Sequence, residues 1–235
     1  MLDQMMITAA DQSTKAYQLL EGVSQNIGNY QTWGYKAVRF EQYIRPDGQV
    51  DINKRVDYEP APTFITRREL DVALDGPGFI QVTRPNGDTA YTRNGSLAKN
   101  AQGFLVTSSG DMVGTGIQVP ATYEKMFIRP DGKVEIMLKK GEAAKEIGHV
   151  TVVNFPNPEG LKNIGNCLVQ ESKDSGTPQK LEDHHLLKQG CLEQSNVNIH
   201  YAVEDVLRLN AGVIANLRVV KAVDDIYKEA VQLRQ

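Results

Sequence analysis

The placement of chain breakers divides this sequence before any other feature is read. All ten prolines lie between Pro46 and Pro178, and neither glycine nor proline occurs before Gly22. After Gly190, only Gly212 interrupts the chain. Glycine and proline stop helices and build turns, so breaker-free stretches can run as continuous helix and breaker-rich ones cannot. The distribution predicts three blocks: helix, short strands with turns, helix.

Both end blocks carry a seven-residue apolar repeat. In the first, Met6, Ser13, Leu20 and Ile27 fall on one row and Ala9, Ala16, Val23 and Tyr30 on its partner, with Leu2 extending the second row. In the last, Ile199, Val206, Val213, Val220 and Tyr227 form one row, and Ala202, Leu209, Asn216, Val223 and Ala230 the other. A period of 3.5 residues places two such rows on one seam of a helix. The plain reading is two amphipathic helices packed on an ordinary domain. The sharper one is that the two ends meet each other, or copies of themselves, as a coiled coil. Asn216 is the one polar residue of the C-terminal rows. It either fixes register, as a lone buried asparagine can, or faces solvent.

The middle block repeats a turn. "IRPDGKVEI" at 128–136 has a near copy, "IRPDGQVDI", at 44–52, and "TRPNGDTA" stands at 83–90. Proline presets φ at the first turn position, Asp or Asn bonds its own backbone at the next, and glycine supplies positive φ. The flanks are strand-like: Val134 and Ile136 alternate with Lys133 and Glu135, and "FIQVT" precedes Pro85. One hairpin turn used three times accounts for the repeat without any chemistry. Further strands are expected at 103–109, 116–121 and 149–155. The expected fold class is therefore α+β, with N- and C-terminal helices pairing as a coiled coil and a central antiparallel β domain of short strands and hairpins. The expected boundaries are 1–30 for the N-terminal helix, 31–70 for an extended linker, 71–190 for the β domain and 191–235 for the C-terminal helix.

Composition excludes several functions. Net charge is −3 and the 26 basic residues are scattered, which argues against the basic face that nucleic acid requires. No run approaches the ~20 apolar residues of a membrane span. The N-terminus has no basic region followed by an apolar core and a cleavage site. Two cysteines, Cys167 and Cys191, are too few for a disulfide framework. Aromatic content of 7% means that any core is mainly aliphatic.

Candidate chemistry is sparse. Cys167, His184, His185 and Cys191 lack the short paired spacing of a zinc site. The glycines of "GDMVGTG" at 110–116 are followed by neither Lys-Ser/Thr nor a helix, so they read as turns. Tyr91, Thr92 and Arg93 could bind a ligand, but a polar strand face explains them more simply. No catalytic, cofactor-binding or metal-binding residue is assigned, and no cofactor is implied.

Three groups of residues, in order, resemble the bacterial flagellar rod and hook family over nearly the whole chain. Thr8, Ala9 and Ala10 precede Asn26, Gly28, Asn29, Thr32, Gly34, Tyr35 and Lys36, which match an Asn-x-Ala-Asn-x-x-Thr-x-Gly-Phe/Tyr-Lys signature except at Gly28. Asp71, Ala73, Gly76, Gly78 and Phe79 match a central pattern, followed by Tyr91, Thr92, Arg93, Gly95 and Ser96. Leu192, Glu193, Ser195, Asn196, Val197 and Asn198 match a third, and Asn216 and Asp224 fall on a family asparagine and aspartate. Asp11-Gln12-Ser13 and Asn210-Ala211-Gly212-Val213 depart from the pattern, on the helices expected to pack in an assembly.

The resemblance implies a structural subunit and not an enzyme. Such a subunit leaves through the flagellar type III export apparatus without a cleaved signal and polymerises helically in the periplasm-spanning rod. Its partners would be copies of itself, other rod and axial proteins, and that apparatus. Within the family, residues 70–74, 91–96 and 223–225 look more like the proximal-rod paralogue, with the distal-rod paralogue close. A ligand-binding module or hydrolase on the β domain is the alternative from another class. The assembly seam is expected at Met6, Ala9, Ala16, Leu20, Val23 and Ile27, facing Val206, Leu209, Val213, Asn216, Val220 and Val223. These thin seams predict a free monomer with a folded β domain and frayed ends.

Overall fold

A computed structural model describes residues 2–46, 50–181 and 186–232. The chain is α+β and divides into two compact units. The first unit holds the helices α1 (Leu2–Gly28) and α2 (Ile199–Gln232), which pack against each other. Two strands, β1 (Val38–Ile44) and β2 (Val50–Val56), pair antiparallel in the same unit, with Val38 opposite Val56 and Ile44 opposite Val50. These strands lie within the 31–70 segment that the sequence suggests is an extended linker. The difference has a physical cause on α1. Asn26 accepts from the Val38 N–H through Oδ1 (2.9 Å) and donates to the Val38 carbonyl through Nδ2 (2.8 Å). One buried side-chain amide thus stands in for a neighbouring strand and fastens β1 to the helix. One turn earlier, a Cβ on Gly22 would lie 2.0 Å from Cζ of Phe40, so only glycine lets that ring sit against the helix. Asn198 caps α2, its Oδ1 accepting from the N–H groups of His200 (3.1 Å) and Tyr201 (3.4 Å).

The second unit comprises 31–37 and 57–196. Its strands are β3 (Thr63–Ile65), β4 (Val72–Leu74), β5 (Phe79–Thr83), β6 (Thr89–Thr92), β7 (Leu97–Lys99), β8 (Leu105–Thr107), β9 (Met112–Val113), β10 (Lys125–Ile128), β11 (Lys133–Met137), β12 (Lys145–His149), β13 (Val152–Asn154), β14 (Lys162–Gly165), β15 (Leu168–Gln170), β16 (Gln179–Lys180), β17 (Leu187–Gln189) and β18 (Cys191–Glu193). The largest sheet runs β14-β15-β6-β5-β9-β8-β7, with β13 joining β5 and β16 at its side; β10-β11-β12 form a second sheet, and β17-β4 and β18-β3 are pairs. Among the described residues every one of these pairings is antiparallel, both in the hairpins and between strands distant in sequence.

Two copies of the repeated turn have the same geometry. Arg84 N–H donates to the Asp88 carbonyl, Gly87 N–H to the Arg84 carbonyl, and Asp88 N–H to Asn86 Oδ1 (3.1 Å). In the second copy Arg129, Lys133, Gly132 and Asp131 repeat these bonds, with Lys133 N–H to Asp131 Oδ1 at 3.2 Å. Gly87 and Gly132 take φ of 88° and 96°, the left-handed region that the turn demands. Asp47 and Gly48, at the tip of the third copy, lie outside the described residues.

The core of the second unit is aliphatic, as the low aromatic content requires. Val72, Leu74, Ile80, Val82, Leu97, Leu105, Met126, Val134 and Ile136 are among its fully buried side chains. A separate cluster holds the aromatic rings. Phe155 meets Phe79 and Tyr91 edge-on at 5.9 and 4.9 Å between centroids, and Tyr58 meets Phe79 at 5.3 Å. Among the described residues the buried Tyr58 hydroxyl has no hydrogen-bond partner. Burial pushes its pKa up to about 12.

The outer edge of β10 is closed by side chains. Peptide groups along a strand alternate in direction, so Met126 and Ile128 present theirs to the side away from β11. Gln189 Oε1 accepts from Ile128 N–H (3.1 Å), and its Nε2 donates to the Met126 carbonyl (3.0 Å) and the Glu69 carbonyl (2.7 Å). Glu69 Oε1 accepts from Met126 N–H. Two side chains therefore occupy the row of groups that a further strand would use, which is one way to blunt a sheet edge.

Two outcomes follow. Gln189→Ala frees the Ile128 N–H, so hydrogen exchange followed by NMR should accelerate at Ile128 and not at Phe127, which faces β11. Tyr58→Phe removes a buried, unbonded hydroxyl and should raise stability at neutral pH by about 1 kcal/mol. Because the folded pKa of Tyr58 lies above its unfolded value of 10.0, its contribution is intact below pH 10 and lost as pH rises toward 12. Urea titrations across that window should show this loss in the wild type and a smaller one in Tyr58→Phe.

Candidate functional site

Two sets of residues concentrate the sequence signals, one in each unit. The first is the helix seam. On α2, Ala202, Val213 and Val223 are buried and Val206, Leu209, Asn216 and Val220 half-buried, whereas most other positions from 201 onward are exposed. On α1, Ala9 and Val23 are buried and Met6, Ala16, Leu20 and Ile27 half-buried. Leu19 and Asn26, outside the two heptad rows, are buried on α1 as well. They lie seven residues apart beside the seam, on a row begun by the half-buried Gln12. The covered stripe is thus wider than two rows, and the spacing of Leu19 and Leu20 was the signal for it.

α2 also carries a second apolar row that this chain leaves uncovered. Val203, Leu207, Ile214 and Leu217 follow heptad spacing, and they are 47%, 66%, 52% and 54% exposed. On α1, Met5, Ile7 and Tyr17 are exposed as well. Asp224 lies exposed and pairs with Lys228 one turn on.

The second set is a buried charge cluster in the other unit. Glu193, on β18, lies between two cations. Its Oε1 accepts from Lys36 Nζ at 2.7 Å and its Oε2 from Arg93 Nε at 2.7 Å, with side-chain exposures of 0%, 5% and 1% for Glu193, Lys36 and Arg93. Ala61 N–H also donates to Oε1 (2.8 Å). Lys36 Nζ donates to the Glu59 carbonyl (2.5 Å), and Arg93 donates to the carbonyls of Gly78 (2.5 Å) and Gly76 (3.0 Å). Around it, Asn196 Oδ1 accepts from Ala37 N–H (2.7 Å), its Nδ2 donates to the Asp57 carbonyl (2.8 Å), and Gly34 N–H donates to the Glu193 carbonyl (2.9 Å). Gly34 (φ 67°) approaches so closely that a Cβ there would lie 2.5 Å from the backbone of Arg93 and Asn94.

Residues far apart in sequence thus meet at one carboxylate. The matched positions Gly34, Lys36, Gly76, Gly78, Arg93, Glu193 and Asn196 all take part. Others support the same region: Thr92 Oγ1 donates to the Cys167 carbonyl (2.9 Å), Phe79 and Tyr91 join the aromatic cluster, and Gly95 packs against the Val72 carbonyl. Leu192 is buried, and Thr32, Tyr35, Ser195 and Val197 are half-buried. Asn29 Nδ2 donates back to the Gln25 carbonyl of α1 (2.8 Å). Tyr91, Thr92 and Arg93 do not form the polar strand face that the sequence suggests: all three are buried, Arg93 because a guanidinium with a carboxylate and two carbonyls to bond can leave water. Asp71 is fully buried too, and its nearest countercharge is Arg68 Nη1 at 3.7 Å.

Burial lowers the Lys36 pKa, opposed by Glu193 and reinforced by Arg93. Every donor and acceptor named around Glu193 is engaged within the protein, which suits a clamp. Among the described residues no group of three or more His, Cys, Asp and Glu could hold a metal ion. Cys167 and Cys191 are free thiols, and burial pushes that of Cys167 up; His184 and His185 lie outside the described residues. No described helix is long and apolar enough to cross a membrane.

Comparison with known proteins finds the relatives of this chain among flagellar basal-body proteins. Residues 73–136 match the family model described as the flagellar hook protein FlgE/F/G D1 domain. The flagellar basal-body rod protein FlgG of Buchnera aphidicola (subsp. Baizongia pistaciae) is 34% identical, over 88% of this chain and 90% of the relative. Its counterpart from subsp. Schizaphis graminum is 30% identical over 90% and 92%, and that of Caulobacter vibrioides 28% identical over 98% and 99%. The chain belongs to the flagellar basal-body rod protein family.

Glu193→Gln leaves two buried cations without a countercharge and should cost about 3–5 kcal/mol. Lys36→Met keeps the Arg93–Glu193 pair and should cost markedly less. Urea unfolding of the full chain, followed by the near-ultraviolet signal of its aromatic residues, measures both.

Proposed function

We propose that this chain is a rod subunit that polymerises through its two helices, with the Lys36–Glu193–Arg93 clamp holding the chain segments that lead to them. The observation that carries the reading is the second apolar row on α2. A helix with one covered and one bare apolar face is built to meet another molecule. Copies of the same chain and other axial proteins of the basal body are the partners that family membership supplies. Export by the flagellar type III apparatus and a place in the periplasm-spanning rod come from the same resemblance, as does a structural role without catalysis.

Residues 70–74, 91–96 and 223–225 look more like the proximal-rod paralogue than the distal one, and on that likeness we place the subunit in the proximal rod.

Leu207→Glu and Leu217→Glu put charge on the bare face and leave the seam intact. Both variants should keep the wild-type unfolding transition of the β-rich unit, yet fail to restore motility and a full-length rod in cells lacking the gene. Normal swimming with an intact rod would overturn this use of the face.

A further inference from the structure

We propose that Asn86 is a site of spontaneous modification, at which the folded protein converts its turn asparagine to aspartate and isoaspartate. The sequence contains two Asn-Gly steps, Asn86–Gly87 and Asn94–Gly95. Chemically they are the same, and the fold treats them in opposite ways.

The reaction needs the backbone nitrogen of the following residue to reach the side-chain amide carbon. That nitrogen gives its proton to water and attacks Cγ. A bond forms between them, the Cγ–Nδ2 bond breaks, and ammonia leaves. Water then opens the five-membered imide at either carbonyl, breaking one C–N bond. The chain continues through the main-chain carbonyl in aspartate and through the side-chain carbonyl in isoaspartate. Overall, one water is consumed and one ammonia released, with no oxidant or enzyme required.

Asn86 and Gly87 are both exposed at the tip of their hairpin, and open space surrounds Gly87 where a Cβ would stand. Solvent therefore reaches nucleophile and carbonyl alike, and no side chain on Gly87 crowds the closing ring. The restraints are the turn bond from Gly87 N–H to the Arg84 carbonyl and the bonds of the Asn86 amide to Asp88. Opening a hairpin tip is a low-energy local event.

Asn94–Gly95 is clamped. Gly95 is buried, a Cβ on it would fall 1.6 Å from the Val72 carbonyl oxygen, and its own carbonyl accepts from Val72 N–H (3.0 Å). Asn94 N–H donates to Thr92 Oγ1, and Asn94 Oδ1 accepts from Ser96 N–H. The rotation that brings nitrogen to Cγ would tear this strand end out of the sheet.

The turn tolerates the aspartate product, because Asp131 occupies the same position in the sister turn with the same bond to the backbone. One contact reverses. Asn86 Nδ2 donates to Asp88 Oδ2 at 2.7 Å, and after conversion two carboxylates face each other there. Modification therefore adds charge and loosens the tip without dismantling the hairpin.

The test is peptide mapping by mass spectrometry of the full-length protein aged in mildly alkaline buffer, with an isoaspartate assay on each fragment. The expected result is a gain of one mass unit at Asn86, with both isomers present, and a rate at Asn94 at least about tenfold lower, since Asn94 must wait for a larger opening. A parallel sample in strong urea should bring the two rates together, which shows that folding makes the difference. Equal rates in the folded protein, or no conversion at Asn86 while the urea sample converts both, would overturn the proposal.

Discussion

One carboxylate holds this molecule's chain crossings in order. Glu193 takes a bond from Lys36, a bond from Arg93 and a bond from the Ala61 backbone, all within a nearly dry interior. Two ions of like sign could not share that space without it, and its own burial is tolerable only because both of them are there. Lys36 stands shortly after α1 in the chain, Arg93 ends a hairpin of the largest sheet, and Glu193 stands shortly before α2. The arrangement makes the β-rich unit dependent on segments from both halves of the sequence. It also gives a physical reason why residues as far apart as Gly34, Gly78 and Asn196 are found together: each supplies a carbonyl, an amide or the empty space that the ion group needs.

Much of the fold was legible in the sequence because it rests on periodicity and punctuation. The heptads of α2 mark its covered face, and Pro-Asn-Gly and Pro-Asp-Gly mark two hairpin tips whose bonds are the same. Family likeness marks position 26 but not its task. Nothing in the letters says that an asparagine on a helix will bond both backbone groups of Val38, and for that reason the sequence suggests only an extended stretch where β1 and β2 pair. The burial of Arg93 escapes the sequence on similar grounds. A charged residue in a Tyr-Thr-Arg run reads as surface unless one knows that Glu193, a hundred residues later, arrives beside it. Long-range electrostatic partners leave no spacing to read.

The helices and the β-rich unit are stabilised in different ways. The unit with the sheets has an aliphatic interior, an aromatic cluster and an ion group with its bonds made internally. The helices bury a seam that includes alanines and an asparagine, and they leave Leu207, Ile214 and Leu217 in water. Ordering a residue costs about 1–2 kcal/mol, and a large aliphatic side chain returns about 1.5–3 kcal/mol only when it is covered. Helices of this kind gain from company, and the family to which the chain belongs supplies it.

The side-chain closure of β10 by Gln189 and Glu69 bears on how such company is chosen. Crowded molecules with open sheet borders can stitch together along them in many registers and in no fixed order. Here the hydrogen-bonding capacity of that border is spent internally, so neighbours find no template on it. Contacts are then left to surfaces where side-chain shape and spacing select one arrangement over others.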